Sequence, residues 1–163
     1  MTPNPPRITR LSLAELPSFS QFLEALRENG DDTFFHPHGF DAVTARKVAD
    51  LSREGGDEYW IAVDGDAVLA YGMLRGWSEG YAIPSLGLAV APAHRGRGLA
   101  RTMMNHLHAR AKIRGAEKIR LKVDRRNTAA QRLYESLGYT LQDHSSTELL
   151  GIVDVLQLPC STH

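Results

Sequence analysis

The 163-residue chain has one cysteine, Cys160, so it can form no internal disulfide, and a reducing, cytosolic compartment is expected. No apolar run approaches the roughly 18 residues of a membrane helix, and the opening MTPNPPRITR has none of the apolar stretch of a secretory leader. Neither sign of charge is in excess, with 19 Lys/Arg against 19 Asp/Glu, which counts against a general affinity for nucleic acid. Internal repeats and low-complexity segments are also missing. What is present is 42% hydrophobic and 23% charged residues, an ordinary composition for one globular domain. A chain of this size buries roughly 70% of its unfolded surface, so its core needs no metal to hold it together.

The neutral total conceals a basic block. Residues 1–93 carry 7 Lys/Arg and 13 Asp/Glu, residues 94–126 carry 11 and 2, and the remainder carry 1 and 4. A local anionic ligand would account for the block, as would a solvated helix face beside a solvated strand edge.

After the PNPP lead-in, Ile8–Leu11 reads as a short strand. Leu13, Leu16, Phe19, Phe22, Leu23 and Leu26 recur at helical spacing as far as Asn29-Gly30, with Pro17 in the first turn. Residues 31–40, DDTFFHPHGF, form an irregular loop, and Asp41 is placed to cap a second helix ending near Arg53. Tyr59–Val63 and Ala67–Leu74 flank the turn Asp64-Gly65-Asp66 as a hairpin. Residues 76–83 are a second irregular loop, followed by a strand over Pro84–Val90. Leu99, Met103, Leu107 and Ala111 mark a helix over Gly98–Arg114, and Ile119, Leu121 and Val123 alternate with Lys118, Arg120 and Lys122 in a strand with one basic face. Ala129–Leu137 is a short helix closed by Gly138, and strands near 139–143 and 148–156 complete the chain. The order is strand, two helices, three strands, helix, strand, helix, two strands. It predicts an α/β fold of the α+β kind, a single mixed and mostly antiparallel sheet of six or seven strands with helices on both faces.

The segment PSLGLAVAPAHRGRGLA at 84–100 carries the chemistry. A strand ends at Val90, a turn contains Pro92, and Arg95-Gly96-Arg97-Gly98-Leu99-Ala100 opens a helix. Helix N-termini present N–H groups without intrahelical acceptors and a partial positive charge, which suits a phosphate or pyrophosphate. Gly96 and Gly98 let backbone approach it, and Arg95, Arg97 and Arg101 add charge. A Walker loop would need Gly-Lys-Ser/Thr, which is missing. A dinucleotide fingerprint would need a small residue where Arg101 stands, inside a βαβ unit.

The segment instead resembles motif A of the GNAT superfamily of N-acetyltransferases, here Arg95-x-x-Gly98-x-Ala100 after the strand Leu88-Ala89-Val90. Downstream, Asn127-Thr128-Ala129-Ala130-Gln131-Arg132-Leu133-Tyr134-Glu135-Ser136-Leu137-Gly138-Tyr139 is similar to that family's N-x-x-A-x-x-L-Y-x-x-x-G-F/Y block. The likeness covers about 84–140 and implies one acetyltransferase domain over 1–163. Residues 1–83 would then be its substrate side, 84–140 an acetyl-CoA-binding core and 141–163 the C-terminal strands.

It also implies that two parallel strands, Leu88–Val90 and Lys118–Asp124, splay apart to admit the pantetheine arm of acetyl-CoA. The pyrophosphate would lie on the amides of Gly96, Arg97, Gly98, Leu99, Ala100 and Arg101. Asn127 would touch the pantetheine, and Tyr134 would aim its hydroxyl at the sulfur. Acetyl would pass directly to a primary amine of a small molecule through a tetrahedral intermediate. A tyrosine hydroxyl can serve as the acid for the departing thiolate, although Ala130, Leu133 and Leu137 also place Tyr134 where a core aromatic would stand. Asn127 can at the same time cap its helix.

The base has several candidates. Lys122 stands where members that modify ribosomal-protein N-termini carry a glutamate, which counts against that branch. Glu79 is the first candidate, acting directly or through water, and it can equally be an exposed loop carboxylate; His36 and His38 come next. Phe35, His36, Trp77 and Tyr81, with Phe34, are expected to line the acceptor pocket, where the acidic balance of residues 1–93 would meet a cationic amine. The pairs His36/His38 and His106/His108 lack the accompanying acidic or cysteine ligands of a metal site. Neither nucleic acid nor membrane is expected as a partner, and a homodimer is compatible with this picture. Acetylation of a protein amine and a non-catalytic acyl-CoA-binding regulatory module are the alternatives.

Overall fold

The computed structural model describes residues 5–31 and 38–158. Phe34, Phe35, His36 and Cys160 lie outside that range. Among the described residues the strands are β1 (Arg7–Arg10), β2 (Glu58–Asp64), β3 (Ala67–Arg75), β4 (Ser85–Val90), β5 (Lys118–Asp124), β6 (Thr140–Asp143) and β7 (Glu148–Asp154). The helices are α1 (Leu16–Glu28), α2 (Ala42–Arg53), α3 (Leu99–Ile113) and α4 (Thr128–Ser136). All seven strands join one sheet in the order β1-β2-β3-β4-β5-β7-β6. The element order is the expected one. The first strand begins one residue early, because Arg7 pairs with Val63, and the last stops at Asp154, where a 3-10 turn begins.

Local signals start and stop these elements. Pro17 occupies the first turn of α1, where its missing N–H costs little. Asp41 caps α2, its carboxylate accepting the Thr44 N–H at 2.7 Å. The helices then cover both faces of the sheet. Phe19, Phe22, Leu23 and Leu26 of α1 and Ala45, Val48 and Ala49 of α2 pack with Ile61, Tyr71, Met73 and Ala89. On the other face Met103, Met104, Leu107 and Ala111 of α3 meet Ala70, Leu74, Ile119 and Leu121, joined by Tyr134 of α4. Each large apolar side chain buried this way contributes about 1.5–3 kcal/mol.

Gly72 in β3 sets the depth of α3. A Cβ there would come within 2.8 Å of Met103 and 2.9 Å of Leu107, so the helix lies closer to the sheet than any side chain at 72 would permit.

A buried carboxylate locks α3 to the first strands. Glu58 is wholly buried and accepts two hydrogen bonds from Arg110 (2.9 and 3.2 Å), one from Arg114 (3.1 Å) and one from the Trp60 indole (2.9 Å). Burial alone would raise its pKa, but these donors outweigh it and hold the carboxyl down at about 2.

The neighbouring strand pairs are antiparallel except one. β4 and β5 run parallel, and their pairing is confined to Ser85 opposite Arg120, where the Arg120 N–H donates to the Pro84 carbonyl at 3.0 Å. Beyond that bond the two strands diverge. β4 remains paired with β3 from Ser85 to Val90, and β5 with β7 from Lys118 to Asp124. Each is therefore held on its outer side, with its inner edge facing the split.

Candidate active site

The open end of the split meets a glycine turn. A 3-10 turn over Pro92–His94 leads from β4 into Gly96 (φ +77°) and Gly98 (φ +80°), and α3 begins at Leu99. These left-handed conformations strain any residue with a side chain. A Cβ placed at either glycine would meet nothing within 4 Å, so the turn presents open backbone. The ladder of α3 starts with the Thr102 N–H on the Gly98 carbonyl (3.1 Å), leaving the first-turn amides pointing outward along the helix axis. An inner strand edge next to such a helix start could hold an extended, amide-bearing ligand that ends in a pyrophosphate.

The arginines of the loop do different things. Arg95 donates to the Val90 carbonyl (3.1 Å) and pairs with Asp31 (2.9 Å), clamping the turn to the end of α1. Arg101 donates to the Ser136 hydroxyl (3.0 Å), joining the start of α3 to the end of α4. Arg97 is exposed and approaches His94 at 3.4 Å. Arg97 is thus the arginine left pointing toward solvent beside the turn, whereas Arg95 and Arg101 brace the walls.

Asn127 caps α4, its side-chain oxygen accepting the Ala130 N–H at 3.2 Å. Tyr134 is 8% exposed within the α3/α4 core, its ring centre 5.9 Å from that of Tyr139. Burial pushes its hydroxyl up to about 12, so the phenol stays protonated at working pH. Among the described residues nothing hydrogen-bonds that hydroxyl. The adjoining polar pair is self-contained: His108 Nε2 and the Tyr139 hydroxyl lie 2.8 Å apart, and burial lowers His108 to about 4.

At the closed end of the split lies a cavity of about 740 Å³ lined by Met73, Arg75, Glu79, Tyr81, Arg120, Lys122, Glu148 and neighbouring backbone. Glu79 ends the 3-10 turn Trp77–Glu79, between Gly76 (φ +118°) and Gly80 (φ +88°). That loop is pinned. Asp57 accepts the N–H groups of Gly76 and Ser78, both at 3.0 Å, and donates its own N–H to the Ser78 hydroxyl at 3.1 Å. Asp57 thereby positions Glu79, a role only the fold reveals, since the two segments are about 20 residues apart in the chain.

Trp77 turns away from the cavity. The Arg114 guanidinium covers its ring at 3.7 Å, and the residue packs, partly buried, against the core that includes α3. His38 also sits apart, between Phe40 and Tyr71. Its Nδ1 bonds the Gly39 carbonyl (2.7 Å), its Nε2 the Tyr71 hydroxyl (3.0 Å), and burial lowers its pKa. With both nitrogens engaged it is not poised as a base.

The cavity is also less acidic than the charge balance of residues 1–93 suggests, with Arg75, Arg120 and Lys122 facing Glu79 and Glu148. Many of the acids in that stretch are engaged elsewhere. Asp31 pairs with Arg95, Asp41 caps α2, Asp57 holds a loop, and Glu58 is buried among arginines. No group of three or more His, Cys, Asp or Glu among the described residues is arranged to hold a metal. No helix among them is long and apolar enough to cross a membrane.

A sheet opened at one parallel pair, with a glycine turn and helix start at its mouth, offers an extended ligand a strand edge and an anion a set of free amides. Residues 22–139 match the model of the acetyltransferase (GNAT) family, and the chain belongs to that family. It is 35% identical over 118 residues, 72% of its length, to the mycothiol acetyltransferase of Thermobispora bispora, and 38% identical over 80 residues, 49% of its length, to the acetyltransferase SG1711 of Sodalis glossinidius. These matches span 35% and 55% of the relatives' own lengths. The fold is similar to that of the PaiA N-acetyltransferase from Thermoplasma acidophilum, solved with coenzyme A. There the TM-score is 0.75 at 14% identity, covering 91% of this chain and 98% of that one.

Proposed function

We propose that this chain is an acetyl-CoA-dependent N-acetyltransferase acting on the primary amine of a small molecule, with no metal. The observation that carries the proposal is the split between β4 and β5, held by a single pairing and ending at Gly96 and Gly98. Acetyl-CoA is the co-substrate. Its pantetheine arm would lie along the inner edge of Leu88, Ala89 and Val90, with Asn127 beside it. Its pyrophosphate would sit on the amides of Gly96 to Arg101, where Leu99 and Ala100 begin the helix.

In the net exchange the thioester C–S bond breaks and an amide C–N bond forms, while one proton leaves the amine and one reaches the departing thiolate. Tyr134 supplies the proton to sulfur, and its raised pKa keeps that proton in place beforehand. Glu79, on its pinned turn at the cavity wall, receives the amine proton directly or through water. Tyr81, 62% exposed beside it, offers a ring for the acceptor to lie against.

Incubating the chain with acetyl-CoA and a panel of primary amines, with detection of free thiol, should give CoA release that depends on the amine. Acetyl-CoA binding with no release for any small amine would leave a protein amine or a regulatory acyl-CoA module as the function. Glu79→Gln should lower turnover about 10- to 100-fold with acetyl-CoA affinity unchanged. A rise in the Michaelis constant alone would make Glu79 a steering group, and no change in either parameter would make it a bystander.

A further inference from the structure

The closed end of the split carries two cations that the acetyl-transfer chemistry does not use. Arg120 and Lys122 alternate with the buried Ile119, Leu121 and Val123, so both side chains leave the same face of β5 and line the cavity. Arg120 is half-buried, and its Nε is fully buried without a hydrogen-bond partner. That Nε is closed off from the cavity, so the part of Arg120 left to meet an acceptor there is its pair of terminal nitrogens, for which the described residues supply no hydrogen-bond partner. Among the described residues neither Arg120 nor Lys122 has an ion-pair partner. Nearby acids do not serve them. Asp124, two positions beyond Lys122 on the same face, is gripped by Arg126 at 3.0 and 3.1 Å, and Glu148 stands opposite Asp124 on β7.

The cavity is therefore two-signed, with Arg120 and Lys122 against Glu79 and Glu148. A simple cationic amine would be drawn to the two acids but repelled by the two cations. A dianionic phosphate ester would meet the opposite conflict. A molecule with one ammonium and one carboxylate satisfies both sets, and the planar fork of Arg120 matches a carboxylate.

Building on the acetyltransferase function above, we propose that the acceptor is a zwitterionic, amino-acid-type amine. Its carboxylate is held by Arg120 and Lys122 where β4 and β5 join, and its amine is turned toward Glu79. The two ends then fix the orientation of the nucleophile, and amines without the anion lose that alignment.

The test compares matched acceptors, free α-amino acids against their amides and against the same amines lacking the carboxyl group. The expected result is a kcat/KM at least about tenfold higher for the free acids. In Arg120→Gln and Lys122→Ala that preference should fall by about tenfold or more, mainly through the Michaelis constant, with the acetyl-CoA thermal shift retained. Arg120→Lys should restore part of it. A merely structural Arg120 would depress acids and amides equally, which would overturn the proposal, as would a wild-type preference for the amides. If no amine of any kind is turned over, the acetyltransferase function itself fails. The carboxylate site is then judged by whether free amino acids raise the melting temperature of the CoA-bound chain and whether Arg120→Gln removes that rise; no rise overturns it.

Discussion

Acetyl-CoA at about a hundred times its dissociation constant should raise the melting temperature by about 5–10 °C, and Gly98→Asp should erase that shift. The first figure follows from mass action. A ligand that binds only the folded state at that excess adds about 2.7 kcal/mol, and about 2–4 °C accompanies each kcal/mol for a chain of this size. The loss follows from geometry and charge. Gly98 sits at φ +80° with open space where a Cβ would be, so aspartate places a carboxylate over the amides that would receive the pyrophosphate. The backbone strain costs about 1–2 kcal/mol, which a domain of ordinary stability tolerates. Gly98→Ala shares the strain without the charge and should keep part of the shift, separating the two causes. Gly96→Asp, at φ +77°, should behave like Gly98→Asp. An undiminished shift in both aspartate variants would place the cofactor elsewhere.

Tyr134→Phe should reduce turnover by about 10- to 1000-fold while leaving acetyl-CoA affinity and melting temperature nearly unchanged. The hydroxyl has no hydrogen-bond partner among the described residues, so removing it strands no buried donor or acceptor. The ring keeps its packing on Tyr139. A side chain that served only as core would show wild-type turnover in this variant. The pH dependence adds a second check. Because burial moves the phenol up to about 12, its acid form persists well above neutrality. Any loss of rate between about pH 8 and 10 must then have another origin, and it should persist in the phenylalanine variant.

Nearly all of the secondary structure could be read from the chain because its signals are local. Asp41 caps the helix it precedes, Gly65 turns the hairpin at φ +60°, and the alternation of Lys118 to Val123 separates a buried face from a basic one. The glycine turn was legible for the same reason, since Gly96, Gly98 and the helix they open are consecutive. Side-chain partnerships were not, because they depend on distant elements. Arg95 and Arg101 look alike as loop cations, yet one is tied to Asp31 and the other to Ser136. Trp77 looks like a pocket aromatic until Arg114 is brought onto its face. Glu58 gives no hint in its own strand of the arginines that surround it. The cavity draws on β3, β4, β5, β7 and a loop, so Glu148 and Arg75 become neighbours of Glu79 only once the sheet has formed.

The hydrogen atom that Gly72 carries in place of a side chain has a reach well beyond its own strand. Gly72 pairs with Leu88 on one arm of the split and lies under Met103, one turn inside the helix whose start forms the mouth. The β4 edge and the start of α3 are thus both gauged from one residue, like two rulers sharing a zero mark. An added methyl group here would collide with Met103 and Leu107 and lift α3 from the sheet, so the first-turn amides would move relative to the strand edge they work with. The tolerance of the phosphate cradle is therefore set from the middle of the sheet, at a position that no cofactor would ever touch.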